Sequence, residues 1–313
     1  MSITPTGQEI NRSNIQLPND VSTEILQKAQ ESSMIMQLAR KIALPGTGLQ
    51  IPVITGDPEA SWISETGKKP VSFPTIDKKI MQGHKLAVIV PFSDEFRRDA
   101  RSLYDALVDR LPGVIGKKFD NTVFFGPASG SLANFDNFSA ITQASLQSSV
   151  YGGLVTAEIN ISEQGGAING YVFSPQGKGM LLNAVDGVNR PLFTLGVSSR
   201  EVPGILGAPA HFTSAAYKAG SAASGTEGQS GYVAAVPDIV GFAGDWTHAM
   251  YGIVSALNIS VSDQATLTYT DENSQTVTIN LWQQNMFAVR AEIEVGFVAE
   301  TAYFNALTRT HSA

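Results

Sequence analysis

The chain has 313 residues, a net charge of −7, 43% hydrophobic residues and no cysteine. That length and apolar share specify a globular protein of one large domain or two smaller ones, and the lack of cysteine removes disulfides, thiolate metal sites and cysteine nucleophiles together. The acidic balance, without a long basic block, argues against sequence-independent binding of nucleic acid by the surface as a whole. No stretch is apolar over the about 18 residues of a membrane span, and the polar start carries no secretory signal. A soluble protein made in the cytoplasm is expected.

Residues 1 to 16 mix Thr, Gly, Asn and Ser without periodicity and read as an extended arm, ordered only where it lies on something. From Asp20, the positions Val21, Ile25, Ala29, Ile35, Leu38 and Ile42 recur at spacings near three and four. This predicts an amphipathic helix, with Ser32-Ser33 as its weak point. Leu49, Ile51 and Val53 then alternate as a strand, which Pro52 makes an edge or an irregular one.

Residues 55 to 92 read as two extended segments either side of a Gly/Pro/Lys tip, "SETGKKP" at 64 to 70. Few large apolar residues occupy the first arm, so this hairpin cannot hold itself in water and needs support from elsewhere, most naturally another subunit. The Gly-Lys pair of the tip invites a phosphate-loop reading, which fails on its context. Position 62 is Trp where glycine is needed, Lys68 is followed by Lys69 and Pro70, and the segment beyond reads as strand instead of helix. A solvated turn is the default.

Ser93 suits an N-cap, with Asp94 and Glu95 at the positive end of the helix that follows. Phe96, Ala100, Leu103, Leu107, Leu111, Val114 and Ile115 form its apolar stripe. It is expected to run to about Phe125, kinked at Pro112-Gly113. Some thirty residues would make it about 45 Å long, more than a compact core needs.

Past "FFGPASG" the chain turns to short strands and small helices. "GYVFSPQGKGMLLNAV" reads as strand, turn and helix, "PGILGAPAHFTS" as turn and strand, and residues 218 to 231 as a flexible low-complexity loop. "VAAVPDIVGFAGDW" resumes a strand, "LNISVSDQATLTYT" and "TVTINL" make a hairpin about "DENSQ", "NMFAVRAEIEVGFV" closes the sheet, and "AETAYFNALT" is a short final element.

Enzyme signatures are weak throughout. His84, His211, His248 and His311 lack a second ligand at metal spacing. "GKGMLL" lacks the third glycine of a dinucleotide fingerprint, and "GQSGY" lacks the spacing of a nucleophile elbow. No cofactor or metal is expected.

Taken in order, five stretches resemble the Hong Kong 97-type major capsid proteins of tailed bacteriophages. "LPNDVSTEILQKAQESSMIMQLAR" is similar to the family's opening helix, and "ASWISETGKKPVSFPTIDKKIMQGHKLAVIVPFSDEFRRDA" to its extended loop entering the spine helix. "DNTVFFGPASG" is similar to the end of that helix, "VFSPQGKGMLLNAVDGVNRPLF" to a region of the axial domain, and "NMFAVRAEIEVGFVAETAYFNALT" to the C-terminal strand and tail. The resemblance implies an α+β fold with an N-terminal arm at 1–18 and the first helix and strand of a peripheral domain at 19–54. An extended loop follows at 55–92, a spine helix at 93–126 and an axial domain at 127–255. Peripheral-domain strands at 256–298 and a C-terminal return to the axial domain at 299–313 complete it.

The implied role is structural: hexamers and pentamers closing into an icosahedral head around double-stranded DNA, in a virion assembled in the host cytoplasm. The implied partners are further copies of the chain, a portal protein, a decoration protein and DNA held non-specifically, with no membrane. About sixteen residues precede the first helix, so assembly is expected to use a separate scaffold protein or none. An encapsulin-type nanocompartment is the alternative within the fold, and a soluble two-domain enzyme or ligand-binding protein is the alternative outside it.

Some members of the family cross-link their shells by an isopeptide bond between a loop lysine and an asparagine of another subunit, assisted by a glutamate. Matched residue by residue, the lysine falls on Lys69, with Glu65 and Pro70 in register, the asparagine on Asn285 and the glutamate on Glu292. The chemistry needs a neutral amine, which desolvation at a subunit junction favours, and a base to take its proton. The plainer reading makes Lys69 a solvated tip, Asn285 a turn residue and Glu292 the buried ion-pair partner of Arg290. Trp62, Glu65, Lys68, Lys69 and Lys79 on the loop, Arg97, Arg98 and Asp99 at the start of the spine helix, and the arm are the expected inter-subunit contacts.

Overall fold

A computed structural model describes residues 33–56, 58, 60–63, 68–69, 71–99, 101–128, 130–193, 204–224, 233–271 and 274–311. The chain divides into two compact units. The described part of the first comprises Ser33 and Met34, residues 85 to 120 and residues 255 to 294, and the second takes the rest. The expected arm and most of the expected opening helix lie outside the described residues.

The first unit is organised on β4 (His84–Ser93), α2 (Asp94–Asp99) and most of α3 (Arg101–Phe125). Ser93 caps α2 as expected, its Oγ accepting the Phe96 N–H at 3.1 Å. α2 and α3 flank Ala100, which lies outside the described residues, and Pro112 is accommodated inside α3. The buried stripe runs through Leu111, Ile115 and Phe119 at i+4 spacing. Val114 sits about 100° round the helix from Ile115 and is 54% exposed, so it does not belong to that stripe. Phe92, Phe96, Tyr104 and Phe287 meet in one aromatic cluster, with centroids 5.3 to 5.7 Å apart. The hairpin of β10 (Thr266–Thr270) and β11 (Thr276–Asn280) alternates cleanly. Leu267, Tyr269, Val277 and Ile279 pack on Leu281, Met286 and Ala288, while the threonines opposed in its ladder lie outside.

The second unit begins with α1 (Met34–Leu38), which gives way at Arg40 to β1 (Arg40–Ala43). Ile42, expected on a helix, lies in that strand and pairs in parallel with Gly252 of β9 (Ala249–Ser262). A four-stranded sheet has the order β1, β9, β12 (Met286–Ala299), β4. Next come β2 (Leu49–Gly56) and β3 (Thr75–Met81), an antiparallel two-stranded ribbon in which Pro52 faces Lys78. The stretch expected as a separate edge strand is therefore the first arm of this ribbon. Both strands of such a pair are edges, so a proline without an N–H is tolerated.

A five-stranded sheet forms the centre of this unit, in the order β5 (Thr142–Ser145), β13 (Phe304–Arg309), β8 (Asp238–Gly244), β6 (Gly170–Phe173), β7 (Ala210–Phe212). The segment expected as a short final element is thus an interior strand, parallel to β5 and antiparallel to β8. Two helices, α4 (Val150–Ser162) and α5 (Pro175–Leu182), are capped by Ser149 and Ser174. Gly177 lets α5 approach β8: a Cβ there would stand 2.6 Å from the Val240 carbonyl. The expected loop at 218 to 231 is partly a ribbon, since residues 218 to 224 return against 233 to 239 through three bridges. Among the described residues no helix is long and apolar enough to cross a membrane.

Candidate functional site: the ribbon tip and the Asn285 turn

The β2–β3 ribbon turns Leu49, Ile51 and Met81 into a small core with Leu44 and Val298, but the segment joining its strands leaves its apolar side chains exposed. Trp62 is fully exposed, and Val71 and Phe73 are 78% and 81% exposed. The sequence singled out Trp62 but passed over Val71 and Phe73, although apolar residues in the otherwise polar "KKPVSFP" were a visible signal. Lys68 and Lys69 are also exposed, while Glu65 and Pro70 lie outside the described residues. Large apolar side chains left this exposed in one connecting segment mark a surface suited to a partner.

Lys79, farther along the same ribbon, is engaged by its own chain. Its ammonium donates to Asp136 Oδ2 at 3.1 Å and to the Ala299 carbonyl at 2.6 Å. The Ala299 N–H donates to the same carboxylate oxygen at 3.0 Å. This joins β3, the 131–138 loop and the end of β12 at one half-buried point.

The expected residues at the start of the spine helix are also engaged locally. Arg97 pairs with Asp94 at 3.4 Å and lays its guanidinium 4.6 Å above the Phe287 ring. Arg98 donates to Asp99 at 3.0 Å, and that hydrogen bond raises the pKa of its guanidinium. Both arginines remain largely exposed, so the pairs are worth little by themselves.

Asn285 closes the turn between β11 and β12 with φ 51°, a left-handed conformation that asparagine tolerates. Its carbonyl accepts the Asp94 N–H at 3.0 Å, fixing the turn to the start of α2, and the residue itself is exposed. Glu292, on β12, forms an ion pair with Arg290, Nε to Oε2 at 3.4 Å. Both side chains of that pair are partly exposed, so the expected ion pair is present without being buried. Asn285 and Glu292 belong to the first unit and Lys69 to the second.

Three of the histidines are taken up by other contacts. His84 meets the Ala133 carbonyl at 2.8 Å, and His248 stacks 3.9 Å from the Tyr303 ring with Glu300 at 3.1 Å. His311 reaches Asp238, a pairing that sequence reasoning missed because it depends on the register of β8 and β13. Among the described residues no three His, Cys, Asp or Glu side chains gather as a metal site.

Comparison with known proteins places this arrangement. The "Phage capsid family" model matches residues 14–307. The "Probable major capsid protein gp17" of Mycobacterium phage D29 is 28% identical over 91% of this chain and 87% of its own length. The "Major capsid protein" of Staphylococcus phage 80alpha is 23% identical over 89% and 80%. Among solved structures, one from Gordonia phage Cozz superposes with a TM-score of 0.71 at 20% identity, covering 95% of this chain and 92% of the other. A second, described as "Capsid of empty GTA particle computed with C5 symmetry", gives 0.60 at 14% identity over 97% and 95%. With nearly its whole length matched, the chain belongs to the phage capsid family and has the Hong Kong 97-type fold.

Proposed function

We propose that this chain is the major capsid protein of a tailed phage, whose copies assemble as hexamers and pentamers into an icosahedral head around double-stranded DNA. Family membership makes it a structural virion component that self-associates. The observation that carries the finer reading is the segment between β2 and β3, where Trp62, Val71 and Phe73 are left uncovered by their own chain. A second copy would bury that apolar area at about 25 cal/mol per Å². The sequence-derived division into arm, extended loop, peripheral and axial domains belongs to this reading. So do a portal protein, a separate scaffold protein, a decoration protein and assembly in the host cytoplasm. Electron microscopy of the purified protein, with nuclease protection of its contents, tests it. Closed shells holding nuclease-resistant DNA are expected; a monodisperse low oligomer would sink it, and shells filled with cargo protein would favour a nanocompartment.

The same reading admits a covalent step between subunits. Lys69 Nζ of one copy, as the neutral amine, would attack Asn285 Cγ of another while Glu292 takes a proton, and collapse of the tetrahedral intermediate would expel ammonia and leave an amide. The exposure of Lys69 and of the Asn285 turn supports it, whereas the hold of Arg290 on Glu292 must loosen first. Mature particles boiled in detergent should show a ladder above the 33.3 kDa subunit, lost in Lys69→Arg; a single monomer band from wild-type particles would exclude it.

A further inference from the structure

Asp238, the first residue of β8, is 1% exposed, and four donors from two segments reach it. Arg309, its partner in the β8–β13 ladder, gives Nε to Oδ2 at 2.9 Å. His311 gives Nδ1 to Oδ1 at 2.6 Å; an ionised carboxylate only accepts, so the proton lies on the imidazole. The Gly220 N–H reaches Oδ1 at 2.8 Å and the Tyr217 hydroxyl reaches Oδ2 at 3.4 Å. Burial pushes the carboxyl pKa up, but the Gly220 N–H, His311 and Arg309 outweigh it and hold the value at about 2. The group is therefore a carboxylate at any ordinary pH.

Tyr217 and Gly220 stand at the root of the 218–239 ribbon. Lys218 and Ile239 exchange both backbone hydrogen bonds, at 3.1 and 2.9 Å, as do Ser221 with Val236 and Ser224 with Val233. Residues 221 to 224 and 233 to 236 are all exposed, including Val233 and Val236. A ribbon that buries so little has no stability of its own, so its order comes from its root. That root is closed by a backbone contact that only glycine permits, since a Cβ on Gly220 would fall 1.9 Å from the Val236 carbonyl oxygen.

We propose that residues 309 to 311 form a strap that sets the order of the 218–239 ribbon through Asp238. With the strap in place, the carboxylate is balanced and holds the Gly220 donor, fixing the ribbon at its root. With the strap drawn away, a buried carboxylate is left without the Arg309 guanidinium and the His311 donor, and water must enter the root to solvate it. The two segments are then thermodynamically coupled: a partner that engages residues 309 to 311 alters the ribbon, and a partner on the ribbon alters the strap. This coupling does not depend on the capsid reading.

Hydrogen exchange on the full-length chain, read by mass spectrometry, tests it. In the double variant Arg309→Gln, His311→Gln, peptides covering 217–224 and 233–237 should exchange about tenfold faster or more, while β6 keeps its protection. Unchanged ribbon exchange overturns the proposal. An equal rise in β6 also overturns it, because Asp238 would then support only the sheet. The single variant His311→Gln, which keeps Arg309, should give an intermediate rise and serves if the double variant does not fold. Reciprocity is checked with Gly220→Ala, which should raise exchange at residues 310 and 311; no change there sinks the coupling.

Discussion

At the scale of single residues, Asp238 makes a prediction whose sign is fixed by its environment. Its folded pKa of about 2 lies below the about 3.9 of an unfolded aspartate. The stabilisation is therefore fully present above about pH 4 and is lost as pH falls through about 2. The contribution is on the order of 1–2 kcal/mol once the partial exposure of Arg309 and His311 is discounted. Urea unfolding at pH 7, 4, 3 and 2 should show wild type losing that much more than Asp238→Asn between pH 4 and 2; parallel curves reject the assignment. Gly153 makes a second prediction. A Cβ there would stand 2.4 Å from the Ser145 carbonyl oxygen and 2.7 Å from Leu146 Cδ2. Gly153→Ala should cost about 1–3 kcal/mol by overpacking α4 on β5, read as a lower denaturant midpoint with an unchanged slope. Neither residue was marked by the sequence. Asp238 meets its partners only through strand register, and the tightness at Gly153 is a property of the packed helix and strand.

At the scale of elements, what could be read locally was read. The Ser93 cap, the end of α3 at Phe125, the strand-turn-helix of β6 and α5, and the β10–β11 hairpin all follow from neighbours within a few residues. What failed were elements whose partners are far away. Ile42 continued a helical spacing, yet β1 pairs with residues some two hundred positions on, and tertiary pairing overrode periodicity. Likewise, nothing local showed "AETAYFNALT" to supply an interior strand. The segment joining β2 to β3 yields the prediction proper to this scale. Because Trp62 and Phe73 lie outside any core of their own chain, Trp62→Ser with Phe73→Ser should leave the dissociated subunit's unfolding free energy within about 0.5 kcal/mol of wild type. The yield of capsomers and shells, followed by sedimentation velocity, should fall sharply. A large loss of subunit stability with normal assembly would return these side chains to the subunit's own packing.

At the scale of the whole molecule, the fold was legible through the order of five loose motifs, no one of which was decisive, whereas the intrachain partners of the charged residues were not, because charge alone does not say what a side chain touches. Lys79, Arg97 and Arg98 each have a partner in their own chain. Two accounts of assembly then differ in sign. If charged loop and helix residues form the junctions, added salt should weaken association, since exposed ion pairs are screened within about 3 Å at 1 M. If the exposed ribbon aromatics dominate, salt should strengthen it, because each subunit brings a net charge of −7 that resists close approach until screened. The exposure of Trp62, Val71 and Phe73 against the local pairing of the charges selects the second account. Light scattering across ionic strengths from about 0.01 to 1 M should therefore show the critical concentration for assembly falling as salt rises; a rise would hand the junctions to the charged residues.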